Sequence, residues 1–122
     1  MAKINFSEQM KKALSLSDLM KDREKMETET LINLHSNGVT ILDFDVCEIN
    51  GETVACYITK EEPRHFHFAG KLLKDRFDEF IELYDGDIEK CREDFREQGG
   101  VRVKLERART KENREITKVT VL

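Results

Sequence analysis

From Val39 to Ile49 the chain reads VTILDFDVCEI, rich in β-branched and apolar residues whose alternation changes phase part-way. Val39 and Ile41 share one parity, Leu42, Phe44 and Val46 the other, and Cys47 and Ile49 return to the first. A strand whose inward face shifts in this way needs a β-bulge or strong coiling. Asn50-Gly51 follows, and because both residue types accept positive φ the pair predicts a tight hairpin. The next strand, Thr53 to Thr59, turns Val54, Cys56 and Ile58 to one side and Ala55 and Tyr57 to the other. Glu61-Glu62-Pro63 ends it, since proline cannot donate to a ladder. Arg64 to Phe68 alternates again, with Phe66 and Phe68 expected in the core and His65 and His67 on the opposite, outward face.

After Ala69-Gly70 the period lengthens. Leu73, Phe77, Phe80, Ile81 and Tyr84 form one helical stripe, Asp85-Gly86-Asp87 interrupts it, and Ile88, Cys91 and Phe95 continue it as a second amphipathic helix ending near Gly99-Gly100. Two strands close the chain, Val101, Val103 and Leu105 alternating with Arg102, Lys104 and Glu106, then Ile116 to Leu122, joined by a polar hairpin over Thr110 to Glu115. Residues 1–34 read as an N-terminal arm in front of a domain spanning 35–122. Phe6, Met10, Leu14, Leu16, Leu19 and Met20 are scattered along the arm, Ser15 or Ser17 offers a cap for a short helix from Asp18 to Lys25, and Leu31, Ile32 and Leu34 anchor it. Apolar density is low over Lys21 to Glu29, where only Met26 is apolar, which fits a mobile segment or one that orders against a partner or a second copy.

The order β-β-β-α-β-β, mainly β with a helical insertion between strands three and four, is that of an OB-fold, a five-stranded Greek-key barrel plugged by a helix. A long bulged first strand suits a barrel, because it must turn from one sheet into the other. The other arrangement open to these elements is an α+β sheet packed on one helical layer.

Composition narrows the classes. The 122 residues are enough for one domain, and 38% charged against 39% apolar residues describes a densely charged surface over a modest core. No apolar run reaches membrane-spanning length and the N-terminus lacks a signal-peptide core, so a cytoplasmic protein is expected. Cys47, Cys56 and Cys91, without CxxC spacing, read as buried reduced thiols. The net charge of −4 argues against a generally basic nucleic-acid binder, yet residues 99–122 hold seven basic and three acidic groups. Such asymmetry places a basic face opposite an acidic one.

On an OB-fold, aromatics of strands two and three stack bases while Lys and Arg meet phosphates. The candidates are Tyr57, His65 and His67 as platforms, with Lys60, Arg64, Arg102 and Lys104 beside them and Arg107, Arg109, Lys111 and Arg114 on the hairpin between the last two strands. His65-x-His67 and Asp43-x-Asp45 would bring four metal ligands together if their strands paired, but no HExxH, nucleophile or phosphate-binding glycine loop accompanies them. No enzyme, cofactor or metal is therefore expected.

The stretch TVACYITKEEPRHFHFAGKLL, the acidic helices and VRVKLERARTKENREITKVTVL together resemble small proteins carried by phages and conjugative elements of Gram-positive bacteria, regarded as single-stranded-DNA-binding-like. The resemblance covers residues 39–122 and transfers no site residue. It implies an OB-like fold and service in replication or transfer of a mobile element. The expected partners are single-stranded DNA, a replication or transfer protein, or a second copy through an edge strand, and not a membrane. The alternative function is an adaptor of the same system without nucleic-acid binding.

Overall fold

A computed structural model describes residues 17–122. Phe6, Met10, Leu14 and Leu16, and the cap offered by Ser15, lie outside the described residues. Ser17 does cap, its hydroxyl accepting from the Leu19 N–H at 3.1 Å, but what it caps is one 3-10 turn, Asp18–Met20, instead of a helix to Lys25. The chain then forms β1 (Glu24–Lys25), α1 (Thr28–Leu34), β2 (Val39–Ile49), β3 (Glu52–Thr59), β4 (His65–Phe68), α2 (Lys71–Leu83), α3 (Ile88–Glu97), β5 (Val101–Arg109) and β6 (Glu115–Val121). The β2–β3 turn is the expected one, with Asn50 at φ 52° and Gly51 at φ 81°, the signature of a hairpin whose two central residues are left-handed.

The six strands make one mixed sheet in the order β1-β4-β3-β2-β5-β6. It is an open sheet with three helices, not a closed five-stranded barrel. The reason lies in β4, a strand of four residues. Its outer edge, which closure on β6 would require, is taken by β1 in parallel pairing, Glu24 opposite His65 and Lys25 opposite Phe66. Just past β4 the gap is narrow: a Cβ placed on Gly70 would lie 3.9 Å from the Thr117 side chain.

The phase change in β2 is a real register shift between Ile41 and Asp43. Before it, β2 pairs with β5 through Val39–Val103, Thr40–Arg102 and Ile41–Val101. After it, β5 has departed and α3 packs on β2 in its place. Gly100 makes this junction sterically feasible: its φ is 77°, and a Cβ there would overlap the Ile41 carbonyl.

The helices cover one face of the sheet. Phe44 stacks on Phe77 with ring centroids 4.4 Å apart and receives the edge of Phe95 at 5.1 Å. Leu31 of α1 is fully buried in the same cluster with Ile41, Tyr57, Phe77 and Leu105. Burying one such side chain contributes about 1.5–3 kcal/mol. From the segment before the 34/35 boundary, Leu31 belongs to this core, with Met26 and Ile32 packed against it. On the opposite face, the 3-10 turn lies against β3 and β4, burying Leu19 and, beneath it, Cys56.

Strand register reverses the expected parity of β4. Tyr57 pairs with His67 and Cys56 with Phe68, and paired residues share a face. Since Ala55 and Tyr57 point into the helical core, His67 goes with them. Phe66 and Phe68, expected inside, stand half-buried on the other face.

Candidate functional site

Two of the three expected stacking platforms are unavailable. Tyr57 is buried between His67, 5.1 Å away by ring centroid, and Phe77 at 6.4 Å, and burial pushes its phenol up to about 12. His67 is fully buried, its Nδ1 3.1 Å from the Met26 carbonyl and its Nε2 without a hydrogen-bond partner among the described residues. The bond to a carbonyl requires the proton on Nδ1. Burial lowers the pKa of this imidazole below its ordinary value.

His65 is half-buried and faces Glu62, Nδ1 to Oε2 at 3.5 Å, while His35 Nε2 donates to Oε1 of the same carboxylate at 2.9 Å. The hydrogen bond from His35 holds Glu62 below the usual carboxylate range. This cluster fastens the end of α1 to the β3–β4 turn. Lys60 and Arg64 are exposed on that turn, and neither forms an ion pair among the described residues.

Asp43 and Asp45 do share a face, as their spacing implies, but they do not converge with His65 and His67. Asp45 sits opposite Cys56, on the face away from His67. Both carboxylates are answered by arginine: Arg92 Nε to Asp43 Oδ1 at 3.2 Å, Nη2 to Asp43 Oδ2 at 3.0 Å, and Nη1 to Asp45 Oδ2 at 3.4 Å. Ser17 donates to Asp45 Oδ2 at 2.7 Å. Among the described residues no group of three or more His, Cys, Asp or Glu is placed to hold a metal ion. Cys47, Cys56 and Cys91 are buried free thiols, and burial pushes Cys56 up to about 12.

The basic groups of the last hairpin remain on the surface. Arg102 is exposed, and Lys104 lies 3.5 Å from Glu106. Arg107 donates to Thr117 Oγ1 at 3.3 Å, Arg109 to Asn113 Oδ1 at 3.0 Å, and Arg114 stands 3.8 Å from Glu112. Lys111 projects from the tip. These contacts are loose and solvent-exposed, so the cations stay available.

The pair missed by sequence reasoning is Phe66 and Phe68. Their rings meet edge to face at 5.6 Å, and Lys25 Nζ lies 5.3 Å from the Phe68 centroid. Phe68 also borders a shallow depression of about 350 Å³ with Ile49, Asn50, Glu52 and Val54 from the β2–β3 hairpin. Gly70, two residues beyond β4, lies beside Thr117 of β6, and Thr117 pairs with Arg107 at the base of the basic hairpin. A larger apolar cavity of about 490 Å³ separates α2 from β5 and β6, with Leu72, Phe80, Val119 and Val121 in its lining. The chain matches no known family model, no curated protein and no solved structure.

Proposed function

We propose that this chain is a non-catalytic single-stranded nucleic-acid-binding protein built on an OB-like arrangement. Pairings β2–β3, β3–β4, β2–β5 and β5–β6, with a helix entering after β4, supply every Greek-key neighbour except the one closing β4 on β6, and OB barrels are themselves partly open. The observation that carries the reading is the Phe66–Phe68 pair: two half-buried rings on the strand that leads through Gly70 past the base of a basic hairpin. Bases stack on these rings. Lys25, Arg64, Arg107, Arg109, Lys111 and Arg114 neutralise phosphates. The resemblance to proteins of mobile elements points to DNA replication or transfer as the setting.

Fluorescence anisotropy with labelled single-stranded oligonucleotides over a salt series tests this. Binding should weaken steeply with salt, and Phe66→Ala and Phe68→Ala should each weaken it by about 1–3 kcal/mol, roughly 5- to 150-fold. Lys111→Glu should flatten the salt slope. Absence of binding at low salt, or binding indifferent to both phenylalanines, overturns the reading. It would favour the adaptor function, for which the acidic surface over residues 72–98, ten carboxylates against five basic groups, is the supporting feature.

A further inference from the structure

The two edges of the sheet are unlike. Proteins blunt an exposed edge by shortness, charge, proline, bulges or a covering element. The β1 edge has two residues, both charged, Glu24 and Lys25. The β6 edge has seven, without proline, and its ladder to β5 runs from Arg109–Glu115 to Val103–Val121 with no shift. The Thr117 side chain lies beside Gly70, and Lys118 to Leu122 form the length of the edge beyond that neighbour. Two apolar side chains are exposed along it, Val121 at 71% and Leu122 at 57%, and Leu72 of α2, 43% exposed, stands across the mouth of the apolar cavity.

The orientation of the free backbone follows from one hydrogen bond. The Leu122 N–H donates to the Arg102 carbonyl at 3.0 Å, toward β5. Strand alternation turns Thr120 and Lys118 the same way and points the N–H and C=O of Val119 and Val121 outward. No described residue pairs with them.

We propose that β6 pairs antiparallel with β6 of a second copy of this chain, about a two-fold axis at Thr120. In that register Val119 lies opposite Val121 of the second copy and Val121 opposite Val119, each pair exchanging both outward backbone bonds. Thr120 faces Thr120, a favourable hydroxyl pairing, and Lys118 faces Leu122. Centring the axis on Lys118 instead would oppose two like charges. The edge is thus complementary to itself: β-branched residues meet β-branched ones, the cation meets an apolar neighbour, and the exposed Val121 is covered. A C2 contact requires this kind of self-complementarity. The pairing uses neither Phe66 nor Phe68, so it stands or falls independently of nucleic-acid binding.

Sedimentation equilibrium on the full chain, without nucleic acid, should show a concentration-dependent monomer–dimer equilibrium. Val121→Pro removes an outward N–H and no bond to β5, so it should keep the thermal melt of the monomer while weakening dimerisation at least about tenfold. Thr120→Cys should cross-link to itself on mild oxidation, since directly opposed residues of a non-hydrogen-bonded pair lie about 4.5 Å apart by Cα, within disulfide range. Glu115→Cys, far from the axis, should not. A chain that stays monomeric at all concentrations overturns the proposal. So does a dimer that tolerates Val121→Pro and leaves Thr120→Cys uncross-linked, or an edge that pairs only with foreign peptides.

Discussion

Arg92→Met tests the least exposed charge cluster among the described residues. The Arg92 and Asp43 side chains are 5% and 6% exposed and share two hydrogen bonds. Removing one member of a buried ion pair strands the other charge, a loss of about 3–5 kcal/mol. Asp43 would keep Arg96, 3.1 Å from Oδ2, and the Phe44 N–H, 2.8 Å from Oδ1, which places the expected cost near the lower bound, about 3 kcal/mol. For a domain of this size that lowers Tm by roughly 10 °C or more. Asp18 touches the same guanidinium at 3.2 Å but its side chain is 64% exposed, so Asp18→Asn should cost under about 1 kcal/mol. Urea denaturation of both variants gives the comparison directly, and Arg92→Met/Asp43→Leu should lose less than Arg92→Met because the more deeply buried carboxylate leaves with its partner, while Asp45 keeps the Ser17 hydroxyl. An Arg92→Met variant no less stable than Asp18→Asn would refute the claim that this cluster is desolvated.

Two further outcomes follow from groups on the other face and at the sheet junction. His67 has a folded pKa below the ordinary 6.5 of an imidazole, so its neutral form is favoured by folding: stability is present above pH 6.5 and is lost as pH falls through the folded value. Glu62, also depressed, begins to cost stability only below its ordinary 4.5. A Tm series across the interval between these values should therefore slope downward with acid in the native chain and flatten in His67→Gln; parallel slopes would contradict the buried imidazole. Gly100 and Gly86 share positive φ, 77° and 84°, but only Gly100 approaches backbone, at Ile41. Gly86→Ala should cost about 1 kcal/mol and Gly100→Ala clearly more, measured by the same urea midpoints.

Much of the framework was legible from periodicity. The bulged β2, the Asn50-Gly51 hairpin, both amphipathic helices and the last hairpin appear where the pattern puts them, because each is governed by local turn chemistry or by one dominant burial direction. What failed was the choice of face on β3 and β4. Hydrophobicity favoured Val54, Cys56 and Ile58 as inward, yet Ala55, Tyr57 and Thr59 take that role, since the sheet is covered on both sides: by helices on one, by Leu19 and Ser17 on the other. Alternation reports burial, and a strand buried twice carries little contrast. Once β3 was reversed, β4 was reversed with it, and the solvent-facing rings of this strand pair became Phe66 and Phe68 instead of Tyr57 and His67. Glu24–Lys25 carried no strand signal because two charged residues held by parallel pairing to β4 are a tertiary fact. The Arg92 cluster, likewise, joins positions 49 residues apart in sequence.

The three-residue contact between β2 and β5 also bears on how the chain folds. Among the described residues it is the only ladder joining β4-β3-β2 to β5-β6. Each of those halves contains a hairpin of short loop, which closes on the order of microseconds. Uniting them requires Val39–Ile41 to find Val101–Val103 across an intervening stretch containing both β3–β4 and the helices, with loop-closure entropy spent before any ladder bond repays it. The barrier to folding is thus expected at this narrow seam. Substitutions at Val39, Ile41 or Val103 should slow refolding, as should those elsewhere in the early-closing β5–β6 hairpin, whereas substitutions in contacts made only after the seam closes should mainly speed unfolding.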